Sequence, residues 1–333
     1  MKKITVLGAG SWGTAIAHRL ATLENNTTKI TLYGRNRAAI NHIEQTRINE
    51  HYLPNLKLHP ALNITNHLAQ ALDCDCVIIA TPLSVLSHWL DQLKQGQQKV
   101  INLSKGVNAQ TQQLPHEMAR AAWGEEAMKS RFASLFGPSF AHEVATGLPC
   151  ALTLACSQES SFLALCKQLS LCCIRTYWSH DLIGVELGGA LKNVMAIAAG
   201  IADGLNLGQN ARAALITRGL AEIHRLIVAS GGQTETVLGL AGVGDLVLTA
   251  TGNASRNRTV GLRLAQGQSL TEIIDHLGHV AEGVLCAHAV WQRAQTLEVE
   301  MPIVQMVCAI LQGRITPKQA LVELLERNIK KEF

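Results

Sequence analysis

Six short stretches of this 333-residue chain combine residue types and spacings that could do chemistry. The first, Gly8-Ala9-Gly10-Ser11-Trp12-Gly13, stands between the apolar run Ile4 to Leu7 and an alanine-rich stretch that reads as a helix. A G-x-G-x-x-G in that setting is the pattern of a dinucleotide-binding turn. Gly8 permits a tight turn, Gly10 lets the backbone approach a pyrophosphate, and Gly13 allows close helix packing. The N–H groups at the helix start attract phosphate. About 20 residues past the glycines, such a site usually has an acidic residue that holds a ribose 2′-hydroxyl. Here Leu32-Tyr33-Gly34 is followed instead by Arg35 and Arg37. Guanidinium groups suit a 2′-phosphate, so NADPH is favoured, and NADH stays possible because a missing carboxylate does not exclude it.

Lys105, between Ser104 and Gly106 at an expected strand end, can point an ammonium at a substrate oxygen. A solvated loop lysine is the simpler account of that residue by itself. Gly137-Pro138-Ser139-Phe140-Ala141 follows another apolar run, and its rigid turn could line a cleft; a plain turn has the same composition. Glu186, Gly189, Lys192 and Asn193 fall at helical spacing on one face of an apolar helix, where core residues are expected. Either Lys192 snorkels to the surface, or burial disfavours its charged form and suits it to general acid/base work near neutral pH. Asp245, set among apolar neighbours, requires a cationic partner if buried, and Lys192 is the candidate. Gly252-Asn253-Ala254-Ser255-Arg256-Asn257-Arg258 gathers donors in a glycine-led loop able to hold a phosphate dianion. N-capping of a following helix explains Ser255 or Asn257, but not Arg256.

The elements that must position these residues follow from periodicity. Up to about residue 178, short β-branched runs alternate with helical patterns, which predicts a doubly wound parallel sheet with crossover helices. Strands are expected at Ile4–Leu7, Lys29–Tyr33, Cys76–Ala80, Val100–Leu103, Ala133–Phe136, Ala151–Ala155 and Cys173–Tyr177, with helices at Thr14–Leu23 and Ser160–Leu169. Beyond Ser179-His180 the apolar spacing is helical throughout. It predicts helices at Leu182–Leu205, Ala211–Ser230, Ser269–Leu277, Cys286–Thr296 and Thr316–Lys330, broken chiefly over Gly239–Asn257. The expectation is therefore an α/β chain of two domains, a Rossmann-type nucleotide-binding domain over 1–178 and an all-helical domain over 179–333.

Composition narrows the partners. With 47% hydrophobic and 16% charged residues the chain can bury a core rather than stay disordered. The net charge of +4 is spread over 29 scattered basic and 25 acidic residues, which points to an anionic small molecule and not to nucleic acid. Ile4 to Leu7 is too short for a signal-peptide core, and the most apolar later run, Val194 to Ala202, falls well short of a membrane span. Nine cysteines with no C-x-x-C fit buried free thiols in a reducing cytoplasm, with no metal.

Taken together, Gly8 to Ala15, Ser104-Lys105-Gly106, Gly137 to Ala141 with Glu143, Glu186 to Val194, Gly242 to Thr251 and Ser255-Arg256-Asn257 resemble the NAD(P)-dependent glycerol-3-phosphate dehydrogenase family, in particular its bacterial cytoplasmic branch. The resemblance implies hydride transfer between a nicotinamide cofactor and C2 of dihydroxyacetone phosphate or sn-glycerol 3-phosphate, feeding phospholipid synthesis. It implies Lys192 as the proton acceptor in the oxidative direction, aided by Lys105 and Asp245. Lys105, Gly137, Ser139, Lys192, Asp245, Ser255, Arg256 and Asn257 would contact the substrate. Ser11, Trp12, Arg35, Lys105, Ala141, Arg256, Val280 and Glu282 would join Gly8, Gly10 and Gly13 at the cofactor. A homodimer is also part of what the family suggests.

Overall fold

In the computed structural model, which describes residues 1–23, 27–277, 281–329 and 331–332, the chain divides into two compact units. The first comprises residues 1–105 and 113–186, the second 106–112 and 187–333.

The first unit is built on ten strands: β1 (Lys3–Leu7), β2 (Lys29–Tyr33), β3 (Ile48–Asn49), β4 (Leu53–Lys57), β5 (Asn63–Thr65), β6 (Cys76–Ile79), β7 (Lys99–Asn102), β8 (Phe132–Phe136), β9 (Cys150–Cys156) and β10 (Ile174–Ser179). Eight form one sheet in the order β10-β9-β8-β7-β6-β1-β2-β5, and β3 and β4 make a separate pair. Strand β1 lies between β2 and β6, with Ile4 in register with Ile30 on one side and Cys76 on the other. The chain thus winds outward to one side and then returns to the other, which opens a crevice at the carboxyl end of β1. Ile4–Leu7 and the whole of β6 are buried, as expected of interior parallel strands covered on both faces, and they are runs of apolar residues with only Thr5 interrupting.

The expected strands are present to within a residue or two at each end. One departure is β8–β9, which pair antiparallel, with Ser134 opposite Ala155. Antiparallel neighbours need no crossover helix, and only the short helix Ala141–Ala145 stands between them. Strands β3 to β5 and the helix Arg37–Thr46 lie in a segment with no sustained apolar alternation.

Helix α1 (Ser11–Ala21) follows β1 directly, and α2 (Pro115–Trp123) begins with proline at its first turn. Helix α3 (Leu182–Gly204) starts in the first unit and continues into the second. The second unit then holds α4 (Gly208–Ala229), α5 (Asp245–Thr251), α6 (Arg256–Ala265), α7 (Glu282–Thr296), α8 (Pro302–Leu311) and α9 (Pro317–Leu325). Two expectations need correction here. The stretch from 239 to 257 is not a simple break: a tight turn at Leu240–Gly244 leads into α5. Helix α7 starts four residues ahead of Cys286, because Ala281 is extended and Glu282 opens the first turn. The terminal helix ends at Leu325, and Lys330 lies outside the described residues.

A third correction concerns α3. At 23 residues with mean hydropathy 1.4 over its best window it is long and apolar enough to cross a membrane, but 89% of that window is buried inside the protein. Counting only the uninterrupted run Val194 to Ala202 missed this, since the helix carries Glu186 and Lys192 within its apolar length. Helices α3 and α6 touch backbone to backbone: a Cβ on Gly200 would collide with the Arg258 carbonyl oxygen, and one on Gly261 with that of Ile197. This close approach registers the middle of α3 against the start of α6.

Glu222 of α4 is 1% exposed and accepts hydrogen bonds from the N–H groups of Ile303 and Val304 at 2.7 and 3.2 Å, closing the start of α8. Burial pushes its carboxyl up to about 7, against the pull of those two N–H groups. A carboxyl that holds its proton longer folded than unfolded makes stability fall as pH rises from about 4.5 to 7. Glu222→Gln should abolish that slope. In urea unfolding at pH 5 and pH 7, wild type is expected to lose roughly 2 kcal/mol more than the variant across the interval; equal slopes would refute the reading.

Candidate active site

In the first unit the turn after β1 is held by backbone contacts. Gly8 has φ +114° and donates its N–H to the Tyr33 carbonyl at 2.9 Å. A Cβ on Gly13 would strike the Gly8 carbonyl oxygen, whereas one on Gly10 would meet no atom within 4 Å. Gly8 and Gly13 are therefore explained by the protein itself, but Gly10 is not; the room above it is a cradle that a side chain would fill. Gly10 is also the N-cap of α1 and supplies no side-chain acceptor, so the first N–H groups of α1, from Ser11 and Trp12 onward, are donors for an anion. Arg35 and Arg37 are exposed just past β2.

Sequence reasoning missed Asn49. Its buried carboxamide donates to the Ala9 carbonyl at 2.9 Å and to Thr14 Oγ1 at 2.8 Å, bracing the glycine turn from β3. No local pattern marks it, because its partners lie 40 and 35 residues away.

On the same side of the sheet, Ser104 donates to the Thr81 carbonyl at 2.6 Å, and Asn102 clasps the Ser104 backbone at both N–H and C=O, each at 3.0 Å. The loop after β7 is thereby fixed and carries half-buried Lys105, whose Nζ lies 5.3 Å from the Phe136 ring centroid. Gly137 is buried at the end of β8, Ser139 donates to its carbonyl at 3.2 Å, and Ala141 opens the next helical turn. Below them, wholly buried Glu186 accepts from the Ser134 hydroxyl at 2.7 Å and from the His116 N–H at 3.1 Å, and lies 2.7 Å from His116 Nδ1. Burial works against a charged His116, yet the carboxylate beside it raises the imidazole pKa above its ordinary value.

In the second unit Lys192 is 9% exposed and does not snorkel. Its Nζ donates to Asp245 Oδ1 at 2.8 Å and to Thr249 Oγ1 at 2.9 Å, and the Thr249 hydroxyl in turn donates to the Asp245 backbone carbonyl at 2.6 Å. Thr249 is the second residue that sequence reasoning missed. It sits one helical turn past Asp245 on α5, a spacing that could have identified it. Gly188, one turn before Lys192 on α3, leaves room for the Ala241 carbonyl, which a Cβ would approach to 2.5 Å. Ser255 caps α6, accepting from the Arg258 N–H at 3.3 Å. Arg256 is exposed at the first position of α6, Asn257 beside it is buried, and Arg258 donates to Asp203 at 2.7 Å. Glu282 is half-buried in the first turn of α7; Val280 lies outside the described residues. Among the described residues no three His, Cys, Asp or Glu side chains gather as metal ligands.

A glycine turn before a helix start and a buried lysine–carboxylate pair are the parts a nicotinamide-dependent dehydrogenase uses. The family model for the NAD-dependent glycerol-3-phosphate dehydrogenase N-terminus matches residues 3–162, and that for the C-terminus residues 181–322. The chain belongs to this family.

Glycerol-3-phosphate dehydrogenase (NAD(P)+) from Polynucleobacter asymbioticus is 49% identical over 343 aligned positions, covering 99% of both chains. The protein of the same name from Cupriavidus pinatubonensis is 48% identical and covers 99% of this chain and 97% of that one. The crystal structure of glycerol-3-phosphate dehydrogenase from Coxiella burnetii superposes with a TM-score of 0.91 at 38% identity, covering 98% and 99% of the two chains. In this member of the glycerol-3-phosphate dehydrogenase family, the ion pair is the feature whose removal has the clearest energetic consequence. Asp245→Ala removes the carboxylate that compensates a buried ammonium and should cost roughly 3–5 kcal/mol in urea unfolding. Replacing both partners, Lys192→Met with Asp245→Leu, should recover most of that loss; a double variant as unstable as the single one would contradict the assignment.

Proposed function

We propose that this chain reduces dihydroxyacetone phosphate to sn-glycerol 3-phosphate, reversibly, with Lys192 as the proton-transfer residue. The observation that carries the reading is the buried Lys192–Asp245–Thr249 cluster, an amine held in one position at a place the fold would otherwise give to core residues.

The cradle at Gly10 fits a pyrophosphate, since neither protein sterics nor a cap occupies it. Ser11 and Trp12 N–H groups at the start of α1 would hold the phosphates, with Gly8 and Gly13 shaping the turn and Ala141, Arg256, Val280 and Glu282 completing the cofactor contacts. Exposed Arg35, with Arg37 beside it, would take a 2′-phosphate, and NADPH is the preferred cofactor on that ground. When bound, the cofactor supplies the hydride. Ser255, Arg256 and Asn257, at the N-terminus of α6, would hold the substrate phosphate, joined by Gly137 and Ser139. Fixing that phosphate orients the C2 ketone and replaces a random encounter with a positioned one. Lys105 and Lys192 would each offer positive charge to the C2 oxygen as negative charge develops there. The Lys192 ammonium gives that oxygen a proton, and in the oxidative direction the amine takes it back. Asp245 and Thr249 aim Nζ and compensate its charge.

Residues 1–178 would then supply most of the cofactor contacts and 179–333 most of the substrate contacts, in a homodimer. A reducing cytoplasm suits nine unpaired thiols, of which Cys173 is exposed, and the product would feed glycerophospholipid synthesis. Absorbance at 340 nm should fall on mixing the protein with NADPH and dihydroxyacetone phosphate. Lys192→Ala should cut kcat roughly a thousandfold, within the range for a lost general acid. Arg35→Ala with Arg37→Ala should raise KM for NADPH about tenfold and leave that for NADH nearly unchanged. Binding of NADPH without turnover by wild type would defeat the proposal.

A further inference from the structure

Three helices of the second unit meet in a ring of hydrogen bonds with a fixed direction. The Gly283 N–H donates to Asn257 Oδ1 at 3.0 Å, Asn257 Nδ2 to Asn193 Oδ1 at 2.9 Å, and Asn193 Nδ2 to Glu282 Oε2 at 3.2 Å. Glu282 and Gly283 are chain neighbours, so the ring closes through α3, α6 and the first turn of α7. A backbone N–H only donates and a carboxylate only accepts, which allows each carboxamide a single orientation. Asn193 and Asn257 are 3% and 8% exposed, and a broken link would leave a polar atom with no water to replace it. There is little slack: a Cβ on Gly283 would come to 2.7 Å from both the Asn193 carbonyl and Asn257 Oδ1.

Asn193 touches both of the other side chains in the ring. We infer that Asn193 is a positioning residue that couples the cofactor segment at Glu282 to the substrate segment at Asn257, so that binding at one tightens binding at the other. This rests on the roles given to Glu282 and Asn257 under the proposed function. A ligand that fixes Glu282 fixes the Asn193 carboxamide, and through it the Asn257 amide; the second ligand then has less to order. Linkage requires the same factor in both directions.

The test is a fluorescence titration of NADPH with and without saturating glycerol 3-phosphate, a pair that cannot turn over. The ratio of the two Kd values measures coupling, and a ring that merely tied helices together would change melting temperature without changing this ratio. Wild type should show a ratio of roughly ten. Asn193→Asp sets a second carboxylate against Glu282, and Asn193→Ala removes both links; each should bring the ratio close to one. Adding Glu282→Gln to Asn193→Asp exchanges charge and amide across the link. The new amide can donate to the new carboxylate, which still accepts from Asn257, and most of the coupling should return. Circular dichroism identifies which variants fold. A folded Asn193→Ala or Asn193→Asp that keeps the wild-type ratio overturns the inference, as does a folded double variant that stays uncoupled. A wild type that turns over with a ratio of one overturns it alone, whereas a wild type that neither binds NADPH nor reduces the ketone overturns the proposed function with it.

Discussion

Lys192 and Asp245 are both buried, and neither ion is tolerable there without the other. Moving a single ammonium or carboxylate out of water costs several kcal/mol even after relaxation, so the 2.8 Å contact between them constrains everything around it. Helix α3 must bring Nζ to α5, which requires the backbone at Gly188 to press against the Ala241 carbonyl. The tight turn at Leu240–Gly244 leads directly into Asp245 at the first position of α5. Thr249, one turn on, occupies a second ammonium hydrogen. The same helix is fixed further along by the glycine contacts with α6, so Lys192, Asn193, Asn257 and Arg256 are held in one register by backbone proximity as well as by charge.

The first unit meets its polar requirement differently. Its important donors belong to the backbone, at the start of α1, and cannot be supplied by any choice of side chain. Side chains and neighbouring backbone hold that turn still: Asn49 grips the Ala9 carbonyl, the Tyr33 backbone carbonyl accepts from the Gly8 N–H, and Ser104 with Asn102 fixes the neighbouring loop. Such groups are buried and fully partnered, which costs little in stability while preserving the loop shape. The two units thus present a rigid backbone cradle in one and a compensated buried charge in the other.

Periodicity and turn chemistry sufficed for the elements with strong local patterns. Strand β2 needed only its own five residues, and α3 only its apolar spacing. The segment from 36 to 66 was opaque because its helix and short strands are half exposed, and half-exposed elements carry a weak hydrophobic signal. The antiparallel turn of β8 against β9 was equally hidden, since strand direction is decided by which neighbour the returning chain finds. Among candidate site residues, the turn geometry of Gly8 and Gly13 was legible from spacing and context, and the need of Asp245 for a cation was legible from its apolar surroundings.

What the sequence by itself determined was the kind of chemistry available: a glycine turn that can take a phosphate only through backbone N–H groups, an amine on an apolar helix face, and a donor-rich loop after Gly252. Each depends on local geometry and on the cost of burying charge, both of which reside in short stretches of chain. Only the tertiary structure decided which partner each buried polar group has. Asn49 to Ala9, Thr249 to Lys192 and Asn193 to Glu282 span 40, 57 and 89 residues. A hydrogen bond is specified by position and direction within a few tenths of an ångström, and over such separations those are set by how helices and strands pack, which no local pattern encodes.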